Sequence, residues 1–297
     1  MQATDLVWVL LPVAGWLAAG LGLAVAVRRA SSATALRLAV LFVAGWAVFA
    51  TTALVWVALD GGWSAVLVLA RAPFTPFQSR YYLFWVAGAA GAFGVFLAAF
   101  LLSQAVGRGF LLALRPRPLP WPAAVAAPAT PTSLLSYAGP EPNAFTFTLL
   151  ERGASGGLRR RDVVLISEGL LELLTDDEQA AVVAHELGHA RELDGRYLTF
   201  LRTFARMMRW DPVLGYVANA LTAREEFRAD WDAVELTHHP RALARALFKA
   251  SRVAPMSGLG AGLLGVGGAR GRRQAVERIR RLVALAESGR YPEEPGG

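Results

Sequence analysis

Three long stretches of the chain carry no charged side chain. Residues 6–27 and 38–59 each run without a charge for 22 positions, and residues 81–107 form a third such stretch closed by Arg108. As helices the first two are each about 33 Å long, enough to cross the hydrocarbon core of a bilayer. The third opens on Tyr81, Tyr82 and Trp85, an aromatic belt suited to a membrane interface. Residues 61–70 are also apolar but too few to span, and Pro73 and Pro76 follow, which suits a re-entrant or interfacial segment. A cleavable signal peptide is a poorer reading of residues 6–27, which lack a basic leader and exceed a usual apolar signal core.

After the third stretch the pattern changes. Eight of the 16 prolines fall within residues 114–142, which predicts a stiff, extended connector. Residues 143–149 then alternate in the manner of a strand, residues 153–157 supply turn chemistry, and residues 163–166 form a second short β-branched run. Thr175 and Glu178 have the spacing of a capping box ahead of an apolar run, so a helix is expected from about 176 to 192. Helical patterns dominate the rest, interrupted by a glycine-rich segment at 257–271 that reads as a mobile loop. The expected architecture is an α-helical membrane region at 1–113, the connector at 114–142, and a mainly α (α+β) domain with a small edge sheet at 143–297.

Composition agrees with a membrane protein. Hydrophobic residues make up 55% of the 297 and charged residues 18%, with a mean hydropathy of +0.39. The net charge of +7 raises the question of nucleic acid, but its distribution answers it. Residues 1–140 hold eight arginines against Asp5 and Asp60, an excess of six, whereas the rest of the chain is nearly balanced. The excess lies between apolar stretches, where it orients a chain in a bilayer, and no aromatic-interleaved basic groove accompanies it; no nucleic-acid partner is expected. Arg28, Arg29 and Arg37 on one side, with Arg108, Arg115 and Arg117, outnumber Arg71 and Arg80 on the other. This predicts an outside N-terminus and places everything after the third stretch in the cytoplasm.

With no cysteine in the chain, thiol nucleophiles, disulfides and thiolate metal sites are excluded. Any metal must be held by histidine and carboxylate. Two of the four histidines stand in the string His185-Glu186-Leu187-Gly188-His189, inside the expected helix. Positions i and i+4 lie one turn apart on one face, so both imidazoles can reach a single tetrahedral ion while Glu186 can reach water there. A catalytic zinc needs a third ligand, for which His238, His239 and downstream carboxylates are candidates. Glu226 and Asp230 share a helix face, so one can bind metal while the other orients a ligand imidazole, although spacing alone does not choose Glu226 over Glu225.

The histidine string, followed 37 residues after His189 by the glutamate of Glu226-Phe227-Arg228-Ala229-Asp230, resembles the HtpX-type and CAAX-prenyl-protease-type integral membrane zinc metallopeptidases, which are gluzincins. Asn143-Ala144-Phe145 is similar to the family's substrate-edge string, residues 164–174 to its strand before the active-site helix, and Glu277-Arg278-Ile279 to its closing element. The resemblance covers about residues 142–285. It implies a zincin-like metallopeptidase domain with one zinc ion per chain, held by His185, His189 and Glu226. It further implies Glu186 as general base, Asp230 behind a ligand histidine, and Asn143 and Ala144 on the substrate. The family usually places two spans before the motif and two near or after it, whereas this chain shows three before it.

The function expected is hydrolysis of peptide bonds in membrane or misfolded proteins, in a bacterial or archaeal cell membrane, with peptide substrates and the lipid bilayer as partners. Cleavage of one dedicated signalling partner is an alternative within enzymes, and a silent adaptor stapled by zinc is one outside them. Glu186 argues against the adaptor, because a structural zinc site has no use for a water-activating carboxylate. His238, His239 and Tyr216 are candidates for stabilising the oxyanion.

Overall fold

A computed structural model describes residues 79–128, 131–153, 156–191, 212–253 and 268–288, together with helical positions at 18, 20–23, 25, 41–42 and 45. The expected spans at 6–27 and 38–59 therefore lie almost wholly outside the described residues, as do residues 61–78. The third falls within helix α1, Ser79–Leu114. Among the described residues no helix is long and apolar enough to cross a membrane. The chain divides into two compact units, one of residues 1–102, 200–221 and 295–297 and the other of residues 103–199 and 222–294. The sheet and the candidate site described below lie in the second.

Its framework is a four-stranded mixed sheet in the order β1-β2-β4-β3. Strand β1 (Arg117–Pro118) pairs antiparallel with β2 (Thr132–Tyr137), which runs parallel to β4 (Leu158–Ser167), and β4 is antiparallel to β3 (Ala144–Arg152). The stretch read as a connector at 114–142 is thus extended but built into the sheet. Its prolines fix φ without preventing pairing at an edge, and Val125 and Leu134 are buried in the core. The β-branched run at 163–166 belongs to a strand buried on both faces. Val164 and Ile166 join the helical core, whereas Val163 and Leu165 pack with Phe145 and Leu149 against Leu111 and Leu114 of α1.

Strand β4 leads through the short helix α2 (Glu168–Leu173) into α3 (Asp176–Arg191). Beyond it stand α4 (Pro212–Thr237), α5 (Pro240–Val253) and α6 (Gly268–Ser288). The glycine-rich loop expected at 257–271 is helical from Gly268 onward, and residues 254–267 lie outside the described residues. Helix α5 turns Ala242, Leu243, Ala246, Leu247 and Ala250 into the core against α3 and α6. Full burial of a leucine such as Leu243 or Leu247 stabilises by about 2 kcal/mol.

The start of α3 is pinned by Glu178. One carboxylate oxygen accepts the Thr175 N–H at 3.0 Å, the glutamate half of a capping box, and Lys249 of α5 donates to it at 2.7 Å. Arg245 donates to the other oxygen at 3.1 Å. Burial would raise the Glu178 pKa, but these bonds outweigh it and hold the carboxyl below its ordinary value. A carboxylate depressed in the folded state stabilises at pH above the unfolded carboxylate range, and the contribution disappears as pH falls through the folded value. Glu178→Gln is therefore expected to cost about 2 kcal/mol at neutral pH. Urea melts of both proteins should converge as the pH is lowered below 4; a constant difference across that range would refute the ionic role.

Candidate metal centre

Helix α3 carries His185, Glu186 and His189, and α4 carries Glu226 and Asp230. The two helices meet at Gly188. A Cβ there would stand 3.1 Å from Ala229 Cα and 3.2 Å from Asp232 Cβ, so the missing side chain is what lets α4 approach. Gly188→Ala is expected to destabilise by about 2 kcal/mol through overpacking. It should also weaken affinity for an added divalent metal by pushing Glu226 away from the histidines, as read by competition with a chromogenic chelator. Unchanged affinity would mean that this approach does not set the ligand spacing.

Across this contact His185, His189 and Glu226 bring one donor atom each to within 4.8 Å of one another. His185 Nε2 lies 3.5 Å from Glu226 Oε2, and His189 Nε2 lies 3.9 Å from Glu226 Oε1. The imidazoles stand edge to face with centroids 4.8 Å apart. Ligands of a tetrahedral zinc ion sit about 3.3 Å from one another, so a small inward adjustment of these side chains suffices. Two imidazoles and a carboxylate are a donor set that suits zinc. His185 and Glu226 are buried, whereas the His189 side chain is 17% exposed, which leaves one side of the cluster open.

Behind these donors lies Asp230, whose Oδ1 is 3.1 Å from His185 Nδ1. The Asp230 carboxylate thus stands on the Nδ1 side of the ring, and Nε2 faces Glu226. Burial by itself would lower the His185 pKa, but the bonds to Asp230 and Glu226 dominate and push it up to about 9.

The sequence reading placed Arg278 of α6 in the closing Glu277-Arg278-Ile279 element but gave it no part in the site. Its guanidinium forks onto Asp230, with Nε 2.7 Å from Oδ2 and Nη2 2.6 Å from Oδ1, and Nη1 donates to Glu226 Oε2 at 2.8 Å. Against the upward push of burial, Arg278 and the histidines hold the Glu226 carboxyl well below the usual range, and Arg278 does the same for Asp230 with help from His185. A signal was present in the sequence. Ala275, Arg278, Leu282 and Leu285 form the buried stripe of α6, and a lone arginine on such a stripe requires buried carboxylates opposite it.

Glu186 is buried beside the donors with its two oxygens in different situations. Oε2 accepts the Thr146 hydroxyl of β3 at 2.7 Å, while Oε1 is buried without a protein partner. Burial, partly opposed by His185 and Thr146, raises its pKa to about 7. A carboxylate so placed can take up a proton and give it back.

Asn143 precedes β3 with its backbone engaged: Ser167 N–H donates to its carbonyl at 2.9 Å and its own N–H donates to Ser167 Oγ at 2.8 Å. Ala144 opens the strand and is buried. His238 and His239 lie beyond the end of α4, and His238 takes a left-handed φ of 55°. Twelve residues of helix separate His238 from Glu226, about 18 Å, which removes both histidines from the cluster. The side chain of Tyr216 is outside the described residues.

Residues 121–286 match the family model described as peptidase family M48. Among curated proteins the chain is similar to a protease HtpX homolog of Dictyoglomus thermophilum, 29% identical over 147 residues, covering 38% of this chain and 46% of that protein. A protease HtpX homolog of Neisseria meningitidis serogroup C is 39% identical over 66 residues, 22% of this chain and 21% of that protein. The chain spans about half the length, or less, of the curated relatives it matches. Among solved structures, the crystal structure of S. mikatae Ste24p aligns with a TM-score of 0.34 and 17% identity over 72% of this chain and 63% of that one.

Proposed function

We propose, from the premise that this chain belongs to peptidase family M48, that it is a zinc-dependent endopeptidase acting on peptide bonds of membrane or misfolded proteins. The observation that carries this reading is the pairing of a three-donor cluster with a buried carboxylate on the same helix as the histidines, one oxygen of which has no protein partner. His185, His189 and Glu226 would hold the ion, and Asp230 orients His185. Zinc, when bound, supplies Lewis acidity toward the scissile carbonyl. Glu186 takes a proton from the attacking water at its free oxygen and delivers it to the departing amine. Thr146 holds the other oxygen in place. Ala144 and Thr146 offer backbone groups to an extended substrate at the edge of the sheet, and Asn143 fixes that edge to Ser167.

A membrane location is supported by the uncharged stretches at 6–27, 38–59 and 81–107, and the arginine bias supports a cytoplasmic domain. An adaptor stapled by zinc would not need a buried carboxylate with an uncommitted oxygen. The test is casein cleavage by detergent-purified full-length protein, measured with metal content. Chelation should remove both zinc and cleavage, and added zinc should restore both. Cleavage that survives complete loss of metal would rule out the metallopeptidase reading.

A further inference from the structure

The open edge of β3 does not stay open along its length. Ser167 N–H donates to Asn143 O and Gly153 N–H donates to Gly157 O, one at each end of the β3–β4 pairing. Odd-numbered positions of β3 therefore bond to β4, and even-numbered positions present N–H and C=O to the other side. Those of β3 are Ala144, Thr146, Thr148, Leu150 and Arg152. Thr146 lies beside Glu186, and among the described residues no protein group takes the outward backbone atoms of Ala144 or Thr146. Thr148 and Leu150 are occupied. The Gln104 side-chain amide of α1 donates to Thr148 O at 3.1 Å and accepts Leu150 N–H at 2.8 Å, the pair of bonds a neighbouring strand would make. One helical turn on, Arg108 donates to Leu150 O at 2.8 Å.

This placement depends on Gly107 between them. A Cβ there would stand 3.0 Å from both Leu149 Cδ2 and Phe147 Cδ2, so any side chain would require both to give way for α1 to keep this approach. Gln104 is 7% exposed, which makes its amide a fixed part of the edge.

We propose that Gln104 and Arg108 form a stop for strand addition, confining substrate pairing to the edge between Ala144 and Thr148. They would thereby limit how many substrate residues on one side of the scissile bond contribute to binding. The inference rests on the peptidase reading and on edge pairing within it. Antiparallel pairing is the more stable per residue, and in that direction the part of the substrate N-terminal to the scissile bond runs toward Gln104. Extensions on that side pair until they reach Thr148 and then meet the amide. Extensions on the C-terminal side do not encounter the stop.

The experiment uses full-length protein in detergent and a set of quenched fluorescent peptides sharing one cleavable core, lengthened on either side. For the wild type, kcat/KM should rise with the first N-terminal residues and become flat beyond about three, the stretch of edge left open at 3.3 Å per residue. In Gln104→Ala, which removes the hydrogen bonds and empties the space the amide fills along the edge, kcat/KM should keep rising by about tenfold over about two further residues, the gain expected from one or two added backbone bonds. Arg108→Ala, an exposed change that leaves packing intact, should give a smaller gain confined to the longest peptides; it carries the test if Gln104→Ala fails to fold. A wild type that gains with every N-terminal residue, or variants that stay flat like the wild type, would overturn the stop. A wild type that cleaves none of the peptides while binding zinc would overturn the peptidase reading and the stop with it.

Discussion

Glu186→Gln is expected to lower kcat by about 10³-fold while leaving zinc at its wild-type level. The substitution preserves shape and keeps a group within reach of the Thr146 hydroxyl, so the edge strand and helix α3 should stay in place. What it removes is basicity at the oxygen that has no protein partner. The donors His185, His189 and Glu226 are untouched, which is why metal content and activity should separate. The measurement pairs zinc analysis with initial rates of casein cleavage. Activity within tenfold of wild type would show that the proton moves through another group. Loss of zinc along with activity would show that Glu186 supports the metal rather than the chemistry.

The second large effect is expected at Arg278. Replacing it with methionine keeps the aliphatic volume and removes the cation shared by two buried carboxylates, Asp230 and Glu226. Breaking a buried ionic cluster from one side costs about 3–5 kcal/mol, because the remaining charges stay out of water without their partner. Arg278→Lys should recover only part of this, since an ammonium cannot make the fork onto Asp230 together with the bond to Glu226. The loss should be greatest in metal-free protein and smaller with zinc bound, because an ion beside Glu226 supplies positive charge and stabilises the fold by mass action. Urea denaturation of the three proteins with and without zinc measures it. Equal midpoints for wild type and Arg278→Met in the metal-free state would mean that the cluster contributes no net stability.

The elements that local pattern specifies were legible in the sequence. Helix α3 begins at Asp176, where the Thr175 and Glu178 spacing put it, because a capping box is satisfied by residues three apart. His185, Glu186 and His189 share a region of that helix as a matter of helical geometry, and Glu226 and Asp230 share a face of α4 for the same reason. Strands β3 and β4 both appear where alternation and β-branching suggested them, each longer than the pattern alone indicated. The expectation that failed in character was the proline-rich connector. Prolines report a fixed φ and a missing N–H, which an isolated spacer and an edge strand share, so composition could not show that β1 and β2 join the sheet.

What only the tertiary structure decided is which groups from distant segments meet. Glu226, not Glu225, faces the histidines because of the rotation of α4 against α3 at Gly188, whereas Glu225 turns to Arg228. Arg278 reaches the cluster from 48 residues beyond Asp230, and Gln104 reaches β3 across 44 residues. Such contacts have no periodicity to betray them. A buried charge or a capped strand edge is dictated by the partner it must satisfy, and chain order does not say which partner that will be.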